Sequence, residues 1–595
     1  MKEKIKEFLG MFCNLYIVAL LVALPLYTGK GYWQLGDTKY MLFRNLSFLC
    51  LGSWLVVGMP GRVCSMAECI RMGLGWRKRA DTGGKRRERT EAEQFADEMN
   101  ARRNGGGQIT GRHTKPAAVG QSGGDIRFSR MDGIMVIYGG LVVISAACSS
   151  YRQLAWSGYE GWYMGALSQI LFVGIYFFVS RQYDGAVWPV YLGETAFFLV
   201  TLLGLLHRLG IDPLGLMTGW NSGDWEYSHM MSTLGNINWL CGYYSVALAF
   251  ITAHYLRAER RWLQAVLYLV SVSAFVLLLI QGSQGGLLIL GVCAAVCFFL
   301  GRRRKDIWRK TLLLFAGTFF SMPLMEKLMK LRGDKAAIAA DGNIFAVMDW
   351  YGWMLAAVIC LFLLFLSAEG TMDTGRETEN RRRGRLQKSG KGLVKGALWA
   401  GGLAGIVLTV IVLFPNMSDG FGSGRGFLWR IAVESFGQAE MKDKLIGAGP
   451  DCYAEAVFHK LGTEVDVWKG EHWEGAVFTN AHNEILSQLC NIGILGTVSY
   501  VGIFLAGLAR YCASLFQSAA GRGEQSGGRT PGTSRQEKGV YSREIFCGGG
   551  VGILALMMYG VHSLISFQQV LNTPLLFLVL GLCEAEIRGR QRANT

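Results

Sequence analysis

The chain is poor in charge. Asp, Glu, Lys and Arg make up 17% of its 595 residues, against about 25% in a typical soluble protein. Residues with apolar side chains account for 51%. That balance describes a chain solvated largely by lipid, so counting one domain per ~150 residues does not apply. Several motifs are also missing. There is no phosphate-binding P-loop, no dinucleotide fingerprint and no pair of carboxylates at a membrane mouth. Energy for any group transfer must then come from an activated substrate. No internal repeat is visible, which counts against transporters built from inverted repeats. The 14 cysteines include no CxxC pair and no Cys/His spacing suited to zinc. Most lie in apolar runs, as Cys293 and Cys297 do, and read as small residues of membrane helices.

What is abundant is the long apolar run. A span needs ~20 mainly apolar residues. Such runs lie near 8–27, 42–60, 131–149, 163–180, 190–207, 236–254, 263–281, 284–300, 311–325, 350–367, 397–414, 491–509, 545–563 and 571–586. The expected fold is an all-α, polytopic transmembrane bundle of about fourteen spans, or twelve if 311–325 is too short and 263–300 is one broken segment. The first run follows a basic start but is long for a signal peptide and has no A-x-A cleavage site. It reads as a membrane helix.

The formal charge of +16 sits in alternate loops, in stretches such as "RKRADTGGKRRER", "RAERR", "GRRRK" and "RGRQR". That is the orientation signal of a membrane protein, not the signature of nucleic-acid binding. It places both termini in the cytoplasm. The expected organisation is two spans over 1–60, a basic disordered inner loop over 61–130 and a membrane core over 131–414. An outer loop over 415–484, a span over 485–509, a flexible inner loop over 510–544 and two last spans with a basic tail over 545–595 follow. The basic inner loops suit anionic membrane lipid. From Met417 to Glu484 there are eleven Asp/Glu against six Lys/Arg. Within this outer loop, Phe427/Ile431 and Leu428/Ala432 repeat at helical spacing, and a second, short helix follows the glycine break at "GAGP".

Four polar features fall on the outer side. They are Gly235, Asn236 and Asn238 entering a span, and the turn "QGSQGG" with Ser283 and Gln284. Arg425, Trp429 and Arg430 form the third, and His482, Asn483, Gly493 and Gly496 the fourth. Each also has a plain structural reading. The asparagines suit a helix N-cap, and the glycines a tight turn with close helix packing. Arg425 suits a snorkelling cation, and His482 a surface histidine. Together their chemistry is coherent. Arginine matches phosphate oxygens with a planar fork of donors. A histidine can take a proton from an acceptor hydroxyl. Trp429 lies one helical turn from Arg425 and can stack on a sugar ring or on lipid.

These residues resemble the O-antigen ligase and polysaccharide polymerase family. "HNEILSQLCNIGILG" matches its His-Asn-x9-Gly-x-x-Gly signature, and "GRGFLWR" its Arg-x3-Trp element. "LIGAGPDCY", with Gly447 and Gly449, resembles its glycine turn, and "STLGNINW" its Gly-Asn-x-Asn element. The likeness is strongest over roughly 230–300 and 415–510. It implies an inverting, metal-independent membrane glycosyltransferase with no cofactor. The donor would be a glycan on a polyprenyl diphosphate at the outer face of a bacterial plasma membrane. The acceptor would be a glycan, lipid or polymer hydroxyl, in cell-surface polysaccharide biosynthesis. The resemblance implies His482 as general base and Arg425 as the contact to the donor diphosphate. Gln284 departs from the pattern, because many relatives carry arginine there. A glutamine cannot neutralise phosphate, so either there is no two-arginine clamp or the second cationic contact moves to Arg430. The competing readings are a transporter or flippase for a lipid-linked glycan, which should carry charge inside its spans, and a partner-binding membrane protein without chemistry.

Overall fold

The structure is a computed structural model that describes residues 2–80, 128–301, 304–337, 343–369, 418–472, 477–524 and 549–594. The chain divides into a main body, Met1–Leu51 with Arg130–Thr595, and a second unit, Gly52–Ser129. The protein is all-α and polytopic. Among the described residues nine helices are long and apolar enough to cross a membrane, and two further apolar helices, Ala166–Gln182 and Gly550–His562, are shorter.

Helix α1, Lys2–Val18, passes through a single π turn, Ala19–Ala23, into Leu24–Leu26. Its last carbonyls would be orphaned in a dry interior. The Lys39 ammonium, which is fully buried, donates to the carbonyls of Leu24, Pro25 and Tyr27. Lys39 belongs to α2, Leu35–Ala80, which carries the chain into the second unit. There follow α3 (Arg130–Cys148), α4 (Arg152–Ser157), α5 (Ala166–Gln182), α6 (Trp188–Arg208) and α7 (Trp225–His229). A two-residue hairpin, β1 (Met230–Met231) against β2 (Gly235–Asn236), leads into α8 (Ile237–Arg257). Then come α9 (Arg261–Ile280), α10 (Gln284–Gly301), α11 (Lys305–Arg332), α12 (Ile344–Val347) and α13 (Trp350–Glu369). The last group is α14 (Phe421–Gly437), α15 (Met441–Ile446), α16 (Tyr453–His472), α17 (Glu484–Glu524), α18 (Gly550–His562) and α19 (Thr573–Asn594).

Every expected span on described residues is helical. The run at 263–300 is two helices joined by a tight turn at 281–283, and the run at 397–414 lies outside the described residues. The helices differ in what surrounds them. α8 is buried almost from end to end, and α19 is buried from Leu575 to Cys583. In α13, by contrast, only 11% of the apolar window is buried. Its Leu355, Val358, Phe362 and Phe365 side chains point outward. An apolar surface of that extent needs a lipid environment. Helices α2 and α17 run on to Ala80 and Glu524, into the inner loops expected from 61 and from 510. Local propensity accounts for both extensions. Arg, Lys, Leu, Met and Ala favour a helix, so "WRKRA" and "RYCASLFQSAA" prolong the helices that precede them.

The segment expected as an outer loop is mainly helical over its described part. α14 buries Phe427, Leu428, Ile431 and Ala432 against Tyr453, Val457, Leu461 and Val465 of α16. This is the apolar stripe read at i,i+4. α16 is a 20-residue helix kinked at Leu461, where only a short helix was expected.

Candidate active site

Two glycines fix how the 418–483 segment sits on the bundle. Gly447 (φ 77°, ψ 174°) ends α15, and Gly493 (φ 67°, ψ −172°) interrupts α17. Both conformations are essentially closed to residues with a Cβ. A Cβ on Gly447 would overlap the Asn491 carbonyl oxygen, and one on Gly493 would lie 2.5 Å from the backbone of Leu445 and Ile446. Between them the backbones are laced together. Ala448 N–H donates to Cys490 O (3.0 Å), and Gly449 N–H donates to Asn491 O (2.8 Å). A Cβ on Gly449 (φ 128°) would meet Ser149 and Ala155, and one on Gly496 would meet the Ile492 side chain. Gly235 (φ 88°) opens the hairpin strand β2 before α8. These glycines are scaffold, and they hold the entry to α17 in place.

That entry carries His482. Asn483 caps α17 by accepting from Leu486 N–H (3.1 Å), and Glu484 N–H donates to the Ser563 carbonyl (2.8 Å). His482 itself stands in the left-handed region at φ 46°, its N–H held by Asn480 Oδ1 (3.0 Å). Its ring meets Phe567 edge to face at 5.1 Å. Neither ring nitrogen has a hydrogen-bond partner among the described residues. Burial and the nearby Arg425 guanidinium push the imidazole down to about 4. It is therefore neutral near pH 7 and able to accept a proton.

Arg425 follows three left-handed residues, Gly422, Ser423 and Gly424, so its helix proper begins at the arginine. Its Nη1 donates to Gly422 O (3.1 Å), while its buried Nε has no partner. No carboxylate lies within ion-pair range of it among the described residues, and burial lowers its pKa. It is a half-buried cation with no counter-ion among the described residues.

Both residues line one cavity of about 220 Å³, with Asn236, Asn238, Gly285 and His562. Three of the four polar features thus meet there through Asn236 and Asn238, Arg425, and His482, and the "QGSQGG" turn reaches it through Gly285. Asn236 also fills its plain structural role, since its Oδ1 accepts from Asn238 N–H (2.8 Å) as the cap of α8. Asn238 Oδ1 accepts from Ser283 Oγ (2.6 Å), which ties the turn to α8.

Other expected contacts go elsewhere. Arg430 points away, bonded to Asp419 (2.9 Å), Glu434 (3.4 Å) and Glu464. Asp419 and Glu464 hold its pKa up, and its charge is already satisfied. It does not line the cavity, so it is not placed to supply the second cationic contact. Trp429 is 8% exposed, beside Phe421 (6.1 Å) and in the apolar cluster of α14 and α16. It is core, not a stacking platform. Gln284 is exposed at the start of α10, outside the lining.

Sequence reasoning missed His562, Phe567, Gln569 and Trp162, which also line the cavity. Both side-chain polar atoms of the buried Gln569 lack partners among the described residues. The signal was a polar interruption, "HSLISFQQVLN", between two apolar runs. Asp451 was missed too. Its Oδ2 accepts from Tyr159 N–H (2.7 Å) and Met164 N–H (2.9 Å), which ties the 158–165 loop to the 418–483 segment. Burial pushes its carboxyl up to about 7. Among the described residues no three His, Cys, Asp or Glu side chains gather as a metal site would need. No protein-family model and no curated protein matches the chain.

Proposed function

We propose that the chain is a membrane glycosyltransferase of the O-antigen ligase and polysaccharide polymerase type. It moves a glycan from a polyprenyl diphosphate to an acceptor hydroxyl. The observation that carries this reading is a half-buried arginine with no counter-ion among the described residues, sharing one polar cavity with a neutral histidine. The arginine suits an anionic leaving group. The histidine suits a hydroxyl that must lose a proton.

In this mechanism the acceptor oxygen attacks the anomeric carbon as His482 takes its proton. The bond from that carbon to the phosphate oxygen breaks, with inversion, and the diphosphate leaves against Arg425. Asn238 and Gln569 offer hydrogen-bonding groups to the sugar. The proposed topology follows the basic loops. It has about fourteen spans, both termini in the cytoplasm and the cavity facing outward from a bacterial plasma membrane.

The test is transfer from a purified lipid-linked glycan in proteoliposomes, comparing wild type with His482→Ala and Arg425→Ala. Full activity in both folded variants would sink the reading.

One observation favours the alternative of a transporter. Glu194 of α6 pairs with His254 of α8 at 2.9 Å, inside the bundle, and intramembrane ionisable pairs mark transport paths in many proteins. A flipping assay on Glu194→Gln discriminates. Loss of flipping with transfer intact would favour the transporter.

A further inference from the structure

A second cavity, of about 290 Å³, adjoins the His482 site. Trp162 and Trp239 line both cavities. They meet edge to face at 5.6 Å and form the partition between them. The rest of the second wall includes Tyr32, Gln34, Asp37 and Gly235.

Its chemistry differs from that of its neighbour. Among its described lining residues there is no Lys, Arg or His. A phosphate would find no cation there. The aromatic walls are held in place. Tyr32 stacks on Trp220 (5.5 Å, 2°) and donates its hydroxyl to Ser232 O (2.6 Å). The cavity also presents acceptors. The half-buried Asp37 lines it, and its carboxylate meets the Tyr163 hydroxyl. Gln34 sits at φ 50°, an unfavourable backbone for a side-chain-bearing residue. A purely apolar occupant, such as a lipid chain, would strip water from that half-buried carboxylate and give no hydrogen bond back, which is costly.

A sugar ring fits both demands. Its C–H face packs on aromatic rings, and its hydroxyls donate to a carboxylate. We propose that this cavity is a saccharide subsite, holding a sugar unit next to the one that reacts at His482. The assignment rests on the glycan-transfer reading above. Two substrates could present that unit: the donor, through a residue beyond its reacting sugar, or the acceptor, through the unit next to its attacking hydroxyl.

The test uses the full chain in detergent and in proteoliposomes. The binding probe is the glycan released by mild acid from the host's own polyprenyl carrier, followed by tryptophan fluorescence. Polyprenyl diphosphate without sugar is the control ligand. Asp37→Asn keeps the shape of the site and Gln34→Ala is exposed, so both should fold, as monodisperse chromatography would check. The expected result is glycan binding weakened about tenfold in Asp37→Asn, the loss of roughly one hydrogen bond to a charged group. Binding of the sugar-free lipid should not change. In transfer, KM should rise by a similar factor with kcat kept. A rise in donor KM assigns the subsite to the donor, and a rise in acceptor KM assigns it to the acceptor. Unchanged glycan binding and KM in the folded variants overturns the subsite while leaving transfer intact. If wild type binds glycan through Asp37 but transfers none, the subsite stands and the transfer reading falls.

Discussion

The two ends of the bundle treat charge in opposite ways. At the end away from the cavity, Asp132 of α3 is fully buried and accepts from Arg588 (2.5 Å), Arg181 (3.0 Å) and Tyr176 (2.8 Å). Glu584 of α19, also fully buried, accepts from Arg510 (2.5 Å) and Arg588 (3.1 Å). Ser145 of α3, some ~20 Å along the helix from Asp132 at 1.5 Å per residue, bonds to Asn491 beside the cavity end. There the pattern reverses. Among the described residues Arg425 has no acid and the Gln569 side-chain amide has no partner, and the loops of that end carry the left-handed Gln34, Tyr163, Ser232, Ser423, Asp451 and His482. Those are all six such non-glycine residues among the described ones. One end has its charges matched within the protein. The other keeps strain and unmet hydrogen-bonding capacity, which persist where a ligand uses them.

The largest expected effect tests the cavity end. His482→Ala should lower the transfer rate by roughly 10²–10⁴-fold, the usual worth of a positioned base. Thermal stability should stay near wild type, because the ring makes no hydrogen bond that holds the fold. A stability loss that accounts for the lost activity would break the comparison. The matched end should behave in the reverse way. Asp132→Asn leaves Arg588 and Arg181 short of a buried partner, so unfolding stability should fall by about 3–5 kcal/mol. Transfer by the protein that remains folded should be unchanged. Thermal unfolding with specific activity per folded molecule separates the two.

This contrast was only half legible in the sequence. Apolar runs and basic loops gave the helices, because lipid exposure imposes long uninterrupted runs that leave little room for ambiguity. The four polar features converge because each sits at a span boundary, where the pattern changes. The partners of individual side chains were not legible. Arg425 and Arg430 share one helix, and only the fold reveals that Asp419 and Glu464, distant in sequence, close around one of them. Trp429 looked like a platform, but its face was set by the docking of α16. The spans also hold more charge than an apolar reading suggests. Asp132 and Glu584 lie within expected spans, and Glu194 pairs with His254. Hydropathy averages hide single buried ions whose partners come from other helices.

A third prediction probes the Arg425–His482 pair through pH. In the proposed mechanism the neutral imidazole is the base, and burial and Arg425 both disfavour its protonated form. The acid limb of kcat/KM, which reports the free enzyme, should therefore lie near pH 4 instead of near 6.5. Arg425→Gln removes one positive neighbour, so the limb should move to higher pH. It should stay below 6.5, since burial is the larger cause. An anionic donor on Arg425 acts in the same direction, which puts the limb of kcat above that of kcat/KM. An acid limb that does not move in Arg425→Gln would show that the two groups are not coupled.

Asp451 gives a smaller, purely structural pH effect. Its carboxyl rises to about 7 in the folded protein, against about 3.9 in an unfolded chain. A raised folded value means a contribution that is full below about pH 4 and lost as pH climbs through 7. Docking of the 158–165 loop should thus loosen over that window, seen as faster exchange of the Tyr159 and Met164 amides. Asp451→Asn should flatten the dependence.

The smallest effect sharpens the comparison within a single helix. Arg425 and Arg430 lie five residues apart, and a count of positive charges would treat them alike. Arg430 is bound by three carboxylates at a partly exposed position, where an ion pair is worth about 0–1 kcal/mol. Arg430→Gln should therefore change transfer by less than about fivefold and leave the acid limb in place, whereas Arg425→Gln should move it. If Arg430→Gln instead raised donor KM as strongly as Arg425→Gln, the acids around it would have to release it to the diphosphate. The distinction between a matched and an unmatched cation would then fail at the one place where it is drawn most narrowly.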